Sequence, residues 1–349
     1  MFVRHPNNPL ISPRDVTPSR SDFEVIGTFN AGVTPFGGDT LLLVRIAERP
    51  ISPSSDVLLC PYLDADGALA VRSVRRDDPN YDTHDPRSVE NLQTGDLWLT
   101  SISHLRLAHS RDGVHFTVED RPWLQGEPPY EAFGVEDARI TEIEGRFYVN
   151  YTAVSPFGIA TALVSTLDFT SVERHGLIFA PSNRDVTIFP ERFDGHYLCF
   201  HRPMPGGFPR LNIWLAESPD LLHWGGLRLV LESKPGDWEG GRVGGGAPPI
   251  KTEYGWLSIY HAADERDRYC LGAYLTALDA PGHIIARSLR PIFEPEAPYE
   301  TTGFYGNVVF TCGVLAQGDT LRIYYGAADE HIALVEVSIR ELIASLDPV

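Results

Sequence analysis

The stretch WLSIYHAAD, residues 256–264, decides the fold because its pattern returns along the chain. In it an apolar, aromatic-rich run follows a glycine turn and ends in polar residues. The same unit occurs four more times, as LLLVRIAE (41–48), FYVNYTAV (147–154), YLCFHRP (197–203) and LRIYYGAAD (321–329). A further apolar run precedes each unit and another follows it, such as LNIWLAESPD (211–220). Short apolar runs separated by Gly, Pro, Asp and Asn are typical of antiparallel strands.

Five copies of this unit predict an all-β fold, a five-bladed β-propeller with a central active-site pocket. The copies span the chain, so residues 1–349 are expected to form a single domain, with a Pro- and Asp-rich excursion at residues 52–98. A β-sandwich is the alternative, but nothing in a sandwich requires a motif to return five times. The first strand of each blade lines the central channel. Polar residues of those runs should therefore converge there: Asn30, Asp137, Arg184, Asp185, Arg242 and Asn307.

The composition bounds the partners and the compartment. The net charge of −18 argues against nucleic acid or an anionic membrane as a partner. No apolar run has the length of a signal peptide or a membrane-spanning helix, and the scattered cysteines lack the spacing of a metal or redox motif. We therefore expect a cytoplasmic protein with buried free thiols. A monomer and a homo-oligomer are both compatible with the sequence.

Three segments carry a more specific signal, in a fixed order along the repeats. They are GVEDARIT (134–141), NRDVTIFPERFDGHYLCFHRP (183–203) and VGGGAPPIKTEYGWLSIYHAAD (243–264). In this order they resemble glycoside hydrolase family 130, which comprises β-mannoside phosphorylases and related β-1,2-mannosidases. The resemblance extends over nearly the whole chain. It implies a five-bladed propeller with a central active site and an enzyme that cleaves a terminal β-mannosidic linkage with inversion.

The resemblance implies that Asp137 is the catalytic acid. Breaking a glycosidic bond needs an acid for the leaving oxygen and a nucleophile at the anomeric carbon. Asp137 matches the acid of the family motif GxEDPR, which reads EDAR here with Ala138 in place of proline. In the family scheme the proton travels by way of a sugar hydroxyl. An ion pair with Arg139 is the structural alternative for this aspartate.

A phosphorylase uses phosphate as its nucleophile, so it must hold a dianion with cationic donors. The resemblance implies that these donors and their neighbour are Arg184, Arg202, Arg242, His261 and Tyr260. Arg242 stands where the family's phosphorylases usually carry lysine. The structural alternative is that the arginines pair with Asp137, Asp185 or Glu191. Inorganic phosphate is then the co-substrate, and no cofactor or metal is expected, because the histidines and acidic loops show no metal-ligand spacing.

The mannose-binding end is the least specific part of the resemblance. It implies sugar contacts from Asn30, Arg45, Asp185, Glu300, Asn307 and Asp329. The linkage and the leaving sugar depend on loops that carry no chemical signature, at residues 52–100, 120–133 and 204–210.

Three other functions remain open at this point. An inverting β-mannosidase of the same family would need a carboxylate that activates water, for which Glu239 and Glu265 are the candidates. A non-catalytic carbohydrate- or protein-binding propeller would need no acid beside a cluster of arginines. An unrelated five-bladed glycosidase would call for three carboxylates at the axis. The favoured prediction is an inverting phosphorylase that releases α-mannose 1-phosphate from a β-mannoside oligosaccharide.

Overall fold

Strands dominate the protein, whose computed structural model describes residues 1–207 and 210–349. The amino-terminal strands are β1 (Val3–Arg4), β2 (Phe23–Phe36), β3 (Asp39–Pro50), β4 (Val57–Leu63), β5 (Leu69–Arg75), β6 (Tyr81–Asp82), β7 (Ser88–Asn91), β8 (Leu97–Leu99), β9 (Ile102–Ser110) and β10 (Thr117–Val118). The central strands are β11 (Val135–Ile143), β12 (Arg146–Ser155), β13 (Gly158–Thr166), β14 (Glu173–Phe179), β15 (Asn183–Phe193), β16 (His196–Pro203), β17 (Ile213–Ser218) and β18 (Gly225–Leu231). The all-β expectation is confirmed.

The remaining strands follow the same short pattern. They are β19 (Arg242–Gly245), β20 (Ile250–Thr252), β21 (Gly255–Ala263), β22 (Tyr269–Thr276), β23 (Ile284–Arg287), β24 (Val309–Gln317), β25 (Thr320–Ala327), β26 (His331–Ser338) and β27 (Asp347–Pro348). Among the described residues, helix is limited to a 3-10 turn and two short α-helices, Pro13–Asp15, α1 (Pro298–Thr301) and α2 (Ile339–Ala344). None of these helices is long and apolar enough to cross a membrane.

Each of the five repeats forms one antiparallel sheet. In order along the chain, the sheets are β10-β9-β3-β2, β11-β12-β13-β14, β15-β16-β17-β18, β19-β21-β22-β23-β27 and β1-β26-β25-β24. The amino terminus completes the fifth sheet, because Val3 pairs with Glu336. The carboxy terminus extends the fourth, because Asp347 pairs with Arg287. Both ends of the chain are thereby held by backbone hydrogen bonds.

Apolar side chains fill the interfaces between successive sheets. Separate clusters join the first sheet to the second, the second to the third, the third to the fourth, and the fourth to the fifth. A further cluster joins the fifth sheet back to the first, where Leu334 packs with Val44. Burial of apolar surface is the main favourable term in folding. The core of this protein therefore lies between its sheets.

The first strands of the sheets approach one another closely. Strand β2 contacts β11 and β24, β11 also contacts β15, and β15 contacts β19. A Cβ atom on Gly32 of β2 would lie 2.7 Å from the carbonyl oxygen of Ala138, and one on Gly245 would lie 2.6 Å from that of Asp185. Glycine at these two positions lets neighbouring backbones meet where a side chain would not fit.

The excursion between the first two repeats has a structure of its own. Strands β4 and β5 form a hairpin, and β6, β7 and β8 form a small sheet. Cys60, Val74 and Val89 make its own apolar cluster. The excursion is fixed to the body of the protein by the Leu63 amide, which donates to the Ala132 carbonyl, and by contact of Trp98 with Phe133. The four cysteines of the chain are free and buried, as expected.

Candidate active site

The same backbone distortion places a polar side chain on three of the first strands. The strand pairing skips Asn30 in β2, Asp137 in β11 and Asp185 in β15, so each strand bulges at that residue. All three adopt the left-handed conformation, with φ of 51°, 51° and 58°. Asn and Asp accept this conformation more readily than other residues with a side chain. A bulge redirects side chains out of the regular alternation, and here it turns all three into one cavity.

The cavity has a volume of about 350 Å³ and receives residues from all five sheets and from the excursion. Its polar lining consists of Asn30, Arg45, Asp85, Arg87, Ser88, Ser101, Glu136, Asp137, Arg184, Asp185, Arg202, His261, Tyr269, Tyr305 and Asp329. Concave sites with convergent charged groups are the usual place of enzymatic chemistry. Eight of the residues predicted from the sequence lie together in this lining.

Asp137 is buried among donors at one end of the cavity. Its Oδ1 accepts hydrogen bonds from Asn30 Nδ2 at 2.9 Å and Arg45 Nη1 at 3.1 Å, and its Oδ2 accepts one from Arg184 Nη2 at 3.1 Å. Burial alone would raise the pKa of Asp137, but Arg45 and Arg184 hold it below its usual range. Arg139 is not its ion-pair partner, because Arg139 reaches only the backbone oxygen of Asp137.

Asp185 lies at the centre of a basic cluster, which consists of Arg184, Arg202 and His261. Its Oδ2 lies 2.9 Å from Arg202 Nη1 and 3.1 Å from His261 Nε2, and its Oδ1 lies 3.3 Å from Arg139 Nη2. Burial would raise the pKa of Asp185, but Arg202 and His261 lower it well below the usual range. Gly244 makes room for this cluster, because a Cβ there would lie 2.4 Å from Asp185 Oδ2. The sequence assigned Asp185 to the sugar, whereas its carboxylate faces the predicted phosphate donors.

The cluster keeps unused donors. The Nε–H groups of Arg184 and Arg202 are buried and have no hydrogen-bond partner among residues 1–207 and 210–349. Burial lowers the pKa of His261 to about 4, so this imidazole is neutral near pH 7. Unpaired buried N–H groups are costly, and an oxyanion would satisfy them with charge-assisted hydrogen bonds.

Arg242 is placed differently from the expectation. Its guanidinium pairs with Asp267 and donates from Nη1 to the Tyr269 hydroxyl at 2.8 Å, and it is not part of the cavity lining. Tyr269, which the sequence analysis missed, stands between Arg242 and the cavity. Arg184 and Arg202 do have carboxylate partners that the structural alternative named, Asp137 and Asp185, whereas Arg242 pairs with Asp267, which it did not name. Glu191 is not one of these partners, since it pairs with Lys251.

The cavity also carries part of the predicted sugar site. Asn30, Arg45 and Asp329 line it. Burial raises the pKa of Asp329 to about 6, against the opposing effect of Arg45. The sequence missed Glu136, whose Oε1 accepts a hydrogen bond from Arg45 Nη2 at 2.7 Å. Strict strand alternation would turn Glu136 and its neighbour in the motif to opposite faces, and the bulge removes that alternation.

The remaining candidates lie outside the cavity lining. Glu300 is fully buried and paired with Arg4, with its other bonds to Tyr325 and backbone amides. Asn307 precedes β24 and is exposed, so it does not stand on the first strand of the fifth sheet. These two expectations are corrected: Glu300 ties the chain start to α1, and Asn307 lies on the surface beside Arg266.

The two carboxylates that a hydrolase would use are also elsewhere. Glu239 accepts two bonds from Arg287 Nη2, at 2.6 and 2.7 Å, and one from the Tyr260 hydroxyl at 3.1 Å. This buried triad also removes Tyr260 from the predicted phosphate site. Glu265 accepts a bond from the Gly236 amide at 3.0 Å in an exposed loop. Neither glutamate lines the cavity, although both lie close in the sequence to predicted phosphate-binding residues.

The excursion forms one wall of the cavity, although its sequence predicted no chemical role for it. Arg87 donates to the Asp85 carboxylate from its backbone amide, Nε and Nη2, and its guanidinium lies 4.2 Å from the centre of the Tyr305 ring. Residues 204–207 and 210 are not part of the lining, and residues 208–209 of that predicted loop lie outside the described residues. Among the described residues, no group of His, Cys, Asp or Glu side chains has the arrangement of a metal site.

The sequence and the fold both have close counterparts among known proteins. A family model described as beta-1,4-mannooligosaccharide phosphorylase matches residues 99–347. The chain is 47% identical over 349 residues to a β-1,2-mannobiose phosphorylase of Listeria innocua, covering 99% of this chain and 98% of that protein. It is 39% identical over 247 residues to a 1,2-β-oligomannan phosphorylase of Thermoanaerobacter, covering 69% and 80%.

A solved structure agrees with these matches. The Listeria innocua β-1,2-mannobiose phosphorylase, crystallised as its β-1,2-mannobiose complex, superposes with a TM-score of 0.96. The superposition covers 99% of each chain at 47% sequence identity. The similarity therefore includes the excursion and the sheets alike.

Proposed function

The chain belongs to glycoside hydrolase family 130, and on that basis we propose that it cleaves a terminal β-1,2-mannosidic linkage with inorganic phosphate. It is a β-mannoside phosphorylase. The finer assignment to β-1,2-linked mannobiose or short oligomannan rests on its relatives, three of which carry that linkage in their names. The products would be α-mannose 1-phosphate and the shortened sugar.

One observation carries the proposal. Arg184 links the buried acid candidate Asp137 to the basic cluster. Its Nη2 donates a hydrogen bond to Asp137, and its Nε lies 3.7 Å from Asp185 Oδ1. A phosphate bound by Arg184, Arg202 and His261 would therefore sit beside the group that protonates the leaving oxygen. Forked guanidinium donors suit a phosphate dianion in geometry as well as in charge. Arg242 would support this site through the Tyr269 hydroxyl.

The reaction needs one proton and one nucleophile. A phosphate oxygen attacks the anomeric carbon from the face opposite the leaving sugar, so the β-mannoside becomes an α-phosphate. The bond from that carbon to the leaving oxygen breaks, and its electron pair stays on the oxygen, which takes the proton of Asp137. With hydrogen phosphate as nucleophile, the first products are the hydrogen phosphate ester and an ionised Asp137. The ester's remaining proton then returns to solvent or to Asp137.

The geometry does not favour hydrolysis. An inverting hydrolase needs a second carboxylate that faces water across the sugar ring. Glu239 is engaged by Arg287 and Tyr260, and Glu265 lies in an exposed loop. Two further carboxylates at the cavity are held by arginines, Glu136 by Arg45 and Asp85 by Arg87.

We further propose that the five sheets are the five blades of a propeller. The closure of the apolar core from the fifth sheet to the first supports this arrangement. So does the cavity, which draws lining residues from every sheet. In this arrangement the three bulged residues Asn30, Asp137 and Asp185 would face the central axis.

The deciding experiment compares sugar products with and without phosphate. Purified enzyme is incubated with β-1,2-mannobiose, and the products are separated and identified by phosphorus and proton NMR. We expect α-mannose 1-phosphate and mannose, at a rate that saturates with phosphate. Free mannose formed at the same rate in phosphate-free buffer would overturn the proposal. Using β-1,4-mannobiose as a second substrate tests the linkage separately.

A further inference from the structure

The surroundings of Asp137 disfavour the protonated form that an acid needs. To protonate the leaving oxygen, Asp137 must carry a proton at neutral pH. Yet its carboxylate is 1% exposed and accepts hydrogen bonds from Asn30, Arg45 and Arg184, all of which favour the ionised form. The free protein therefore holds the acid in the state in which it has no proton to give.

The charges around Asp137 come from four of the five sheets. The groups that face it or act on it are Arg45 from β3, Glu136 and Arg139 from β11, Arg184 and Asp185 from β15, and Asp329 after β25. Glu136 and Asp329 are themselves carboxyl groups, and any negative charge on them opposes the ionisation of Asp137. The two arginines in direct contact with the carboxylate are therefore what keeps it ionised.

Of these two arginines, only Arg184 also belongs to the basic cluster. Its Nη2 donates to Asp137, and its Nε lies on the other side, 3.7 Å from Asp185 Oδ1. That Nε–H has no hydrogen-bond partner within the described part of the chain, and the side chain lines the cavity. Arg45, in contrast, lies between Glu136 and Asp137 and has no contact with Asp185, Arg202 or His261.

We propose that Arg184 couples the binding of phosphate to the protonation of Asp137. A phosphate dianion on the basic cluster places negative charge beside Asp137 and competes with it for the Arg184 guanidinium. The carboxyl then takes a proton from solvent and becomes an acid. The proton is delivered to the leaving oxygen in the chemical step. Asp137 therefore carries this proton only when the nucleophile is present. This inference rests on the proposed function, since it requires that phosphate bind to the cluster.

The proposal predicts a measurable coupling between proton uptake and phosphate binding. If phosphate raises the proton affinity of Asp137, then protons raise the affinity for phosphate by the same factor. Binding of one phosphate should take up a fraction of a proton that approaches about one between the two pKa values of Asp137. Over that range the affinity for phosphate should rise by up to about tenfold for each unit of decrease in pH.

The experiment is isothermal titration of the enzyme with inorganic phosphate near neutral pH. Titrations in two buffers with different enthalpies of ionisation give the number of protons taken up per phosphate bound. Asp137→Asn is the matched variant, because it keeps the shape of the side chain but cannot take up the proton. The ionisation of phosphate itself is common to both proteins and cancels in the difference. We expect wild type to take up more protons than Asp137→Asn, by an amount that approaches about one.

Two arginine variants separate coupling from binding. Arg184→Gln and Arg202→Gln each remove one guanidinium from the cluster, and both should weaken phosphate binding by roughly ten- to a hundredfold. Of these two arginines, only Arg184 contacts Asp137. Arg202→Gln should therefore keep the proton uptake per phosphate bound, whereas Arg184→Gln should lose most of it. The comparison of wild type with Asp137→Asn decides the proposal even if an arginine variant fails to fold.

The outcomes separate the two proposals. If wild type does not bind phosphate, the proposed function itself is wrong. If wild type and Asp137→Asn bind phosphate with equal proton uptake, the function stands and the coupling through Arg184 is wrong. Equal uptake above that expected for phosphate alone would place the proton on another group, of which Glu136 is the nearest carboxyl.

Discussion

Arg184 stands between two carboxylates that divide the positive charge of the cavity. Asp137 is bonded to Arg45 and Arg184, and Asp185 holds Arg202 together with His261. The free site is thus internally paired, although the chain as a whole carries a charge of −18. An incoming phosphate must compete with Asp185 for its donors, which keeps the donors oriented before the ligand arrives.

At this scale, Asp137→Asn tests the acid. The substitution keeps the shape of the side chain and one acceptor oxygen, places an NH2 group where the other carboxylate oxygen accepts a hydrogen bond, and removes the transferable proton. We expect kcat for an unactivated mannoside to fall by roughly 10²- to 10⁴-fold, with little change in the KM for the sugar. Steady-state kinetics with mannobiose and phosphate measure this. Near-normal turnover would remove Asp137 from the role of acid.

Arg202→Ala tests the phosphate end. It removes a charge-assisted contact worth about 1.5 to 3 kcal/mol, so the KM for phosphate should rise roughly ten- to a hundredfold. The KM for the sugar should change much less, because the contacts of Arg202 are Asp185 and His261, and Asp185 faces the phosphate donors. Arg228→Ala, at an exposed position on β18, is the control and should leave both constants unchanged. An equal rise in both constants for Arg202→Ala would contradict the assignment.

Glu239→Gln separates a structural carboxylate from a catalytic one. The variant leaves the Arg287 guanidinium buried without its counter-charge, and breaking such a pair costs about 3 to 5 kcal/mol. We expect a clear loss in the free energy of unfolding in urea, while kcat at a temperature where the variant is folded stays near that of wild type. Loss of activity in a protein of unchanged stability would restore Glu239 as a base.

The first strands are the elements that create the site. Strands β2, β11 and β15 each bulge where a polar side chain turns into the cavity, and glycines on β2 and β19 let neighbouring backbones approach one another. The outer strands complete the sheets. Catalytic geometry and packing therefore depend on the same few positions of β2, β11 and β15.

Gly32→Ala tests this dependence at the element scale. The added methyl would meet the Ala138 carbonyl oxygen at 2.7 Å, so β2 and β11 would have to separate. Forced overpacking of this kind costs about 1 to 3 kcal/mol of unfolding free energy. Activity should fall as well, because Asn30 and Asp137 lie on the displaced strands. Gly225→Ala on β18, where no atom lies within 4 Å, is the control and should change stability by about 0.5 kcal/mol or less.

The whole molecule has a predictable response to acid. Burial lowers the pKa of His104 to about 3 and those of His201 and His261 to about 4, against 6.5 in an unfolded chain. Between those values the unfolded state binds more protons, so the free energy of unfolding falls as the pH falls. Each histidine contributes about 1.4 kcal/mol per pH unit, and the raised pKa of Asp329, about 6, opposes them by one proton.

The measurement is urea unfolding at a series of pH values between 7 and about 4.5. We expect stability to fall by about 3 kcal/mol per pH unit near the middle of that range, which is the net effect of two protons. His201→Gln removes one titrating group outside the cavity lining and should reduce the slope by about a third to a half. A stability that is flat between pH 6 and 5 would contradict this balance of protons.

Much of the fold and the acid end of the site could be predicted from local sequence. Repeated runs of alternating and β-branched residues determine strands through contacts within one sheet, and the returning pattern of WLSIYHAAD gave the number of repeats. The motif around Asp137 also identified a residue that does face the cavity, together with Asn30, Arg184, Arg202 and His261. These positions lie on strands whose direction the repeat itself determines.

Only the tertiary structure decided which charges meet. Glu239, Tyr260 and Glu300 stand in suitable motifs, yet each is drawn to an arginine from a distant segment and away from the cavity. Glu136 enters the cavity because a bulge cancels the alternation that the sequence implies. The physical reason is range: strand propensity acts between neighbours along the chain, whereas an ion pair is decided by where the fold brings two distant side chains together.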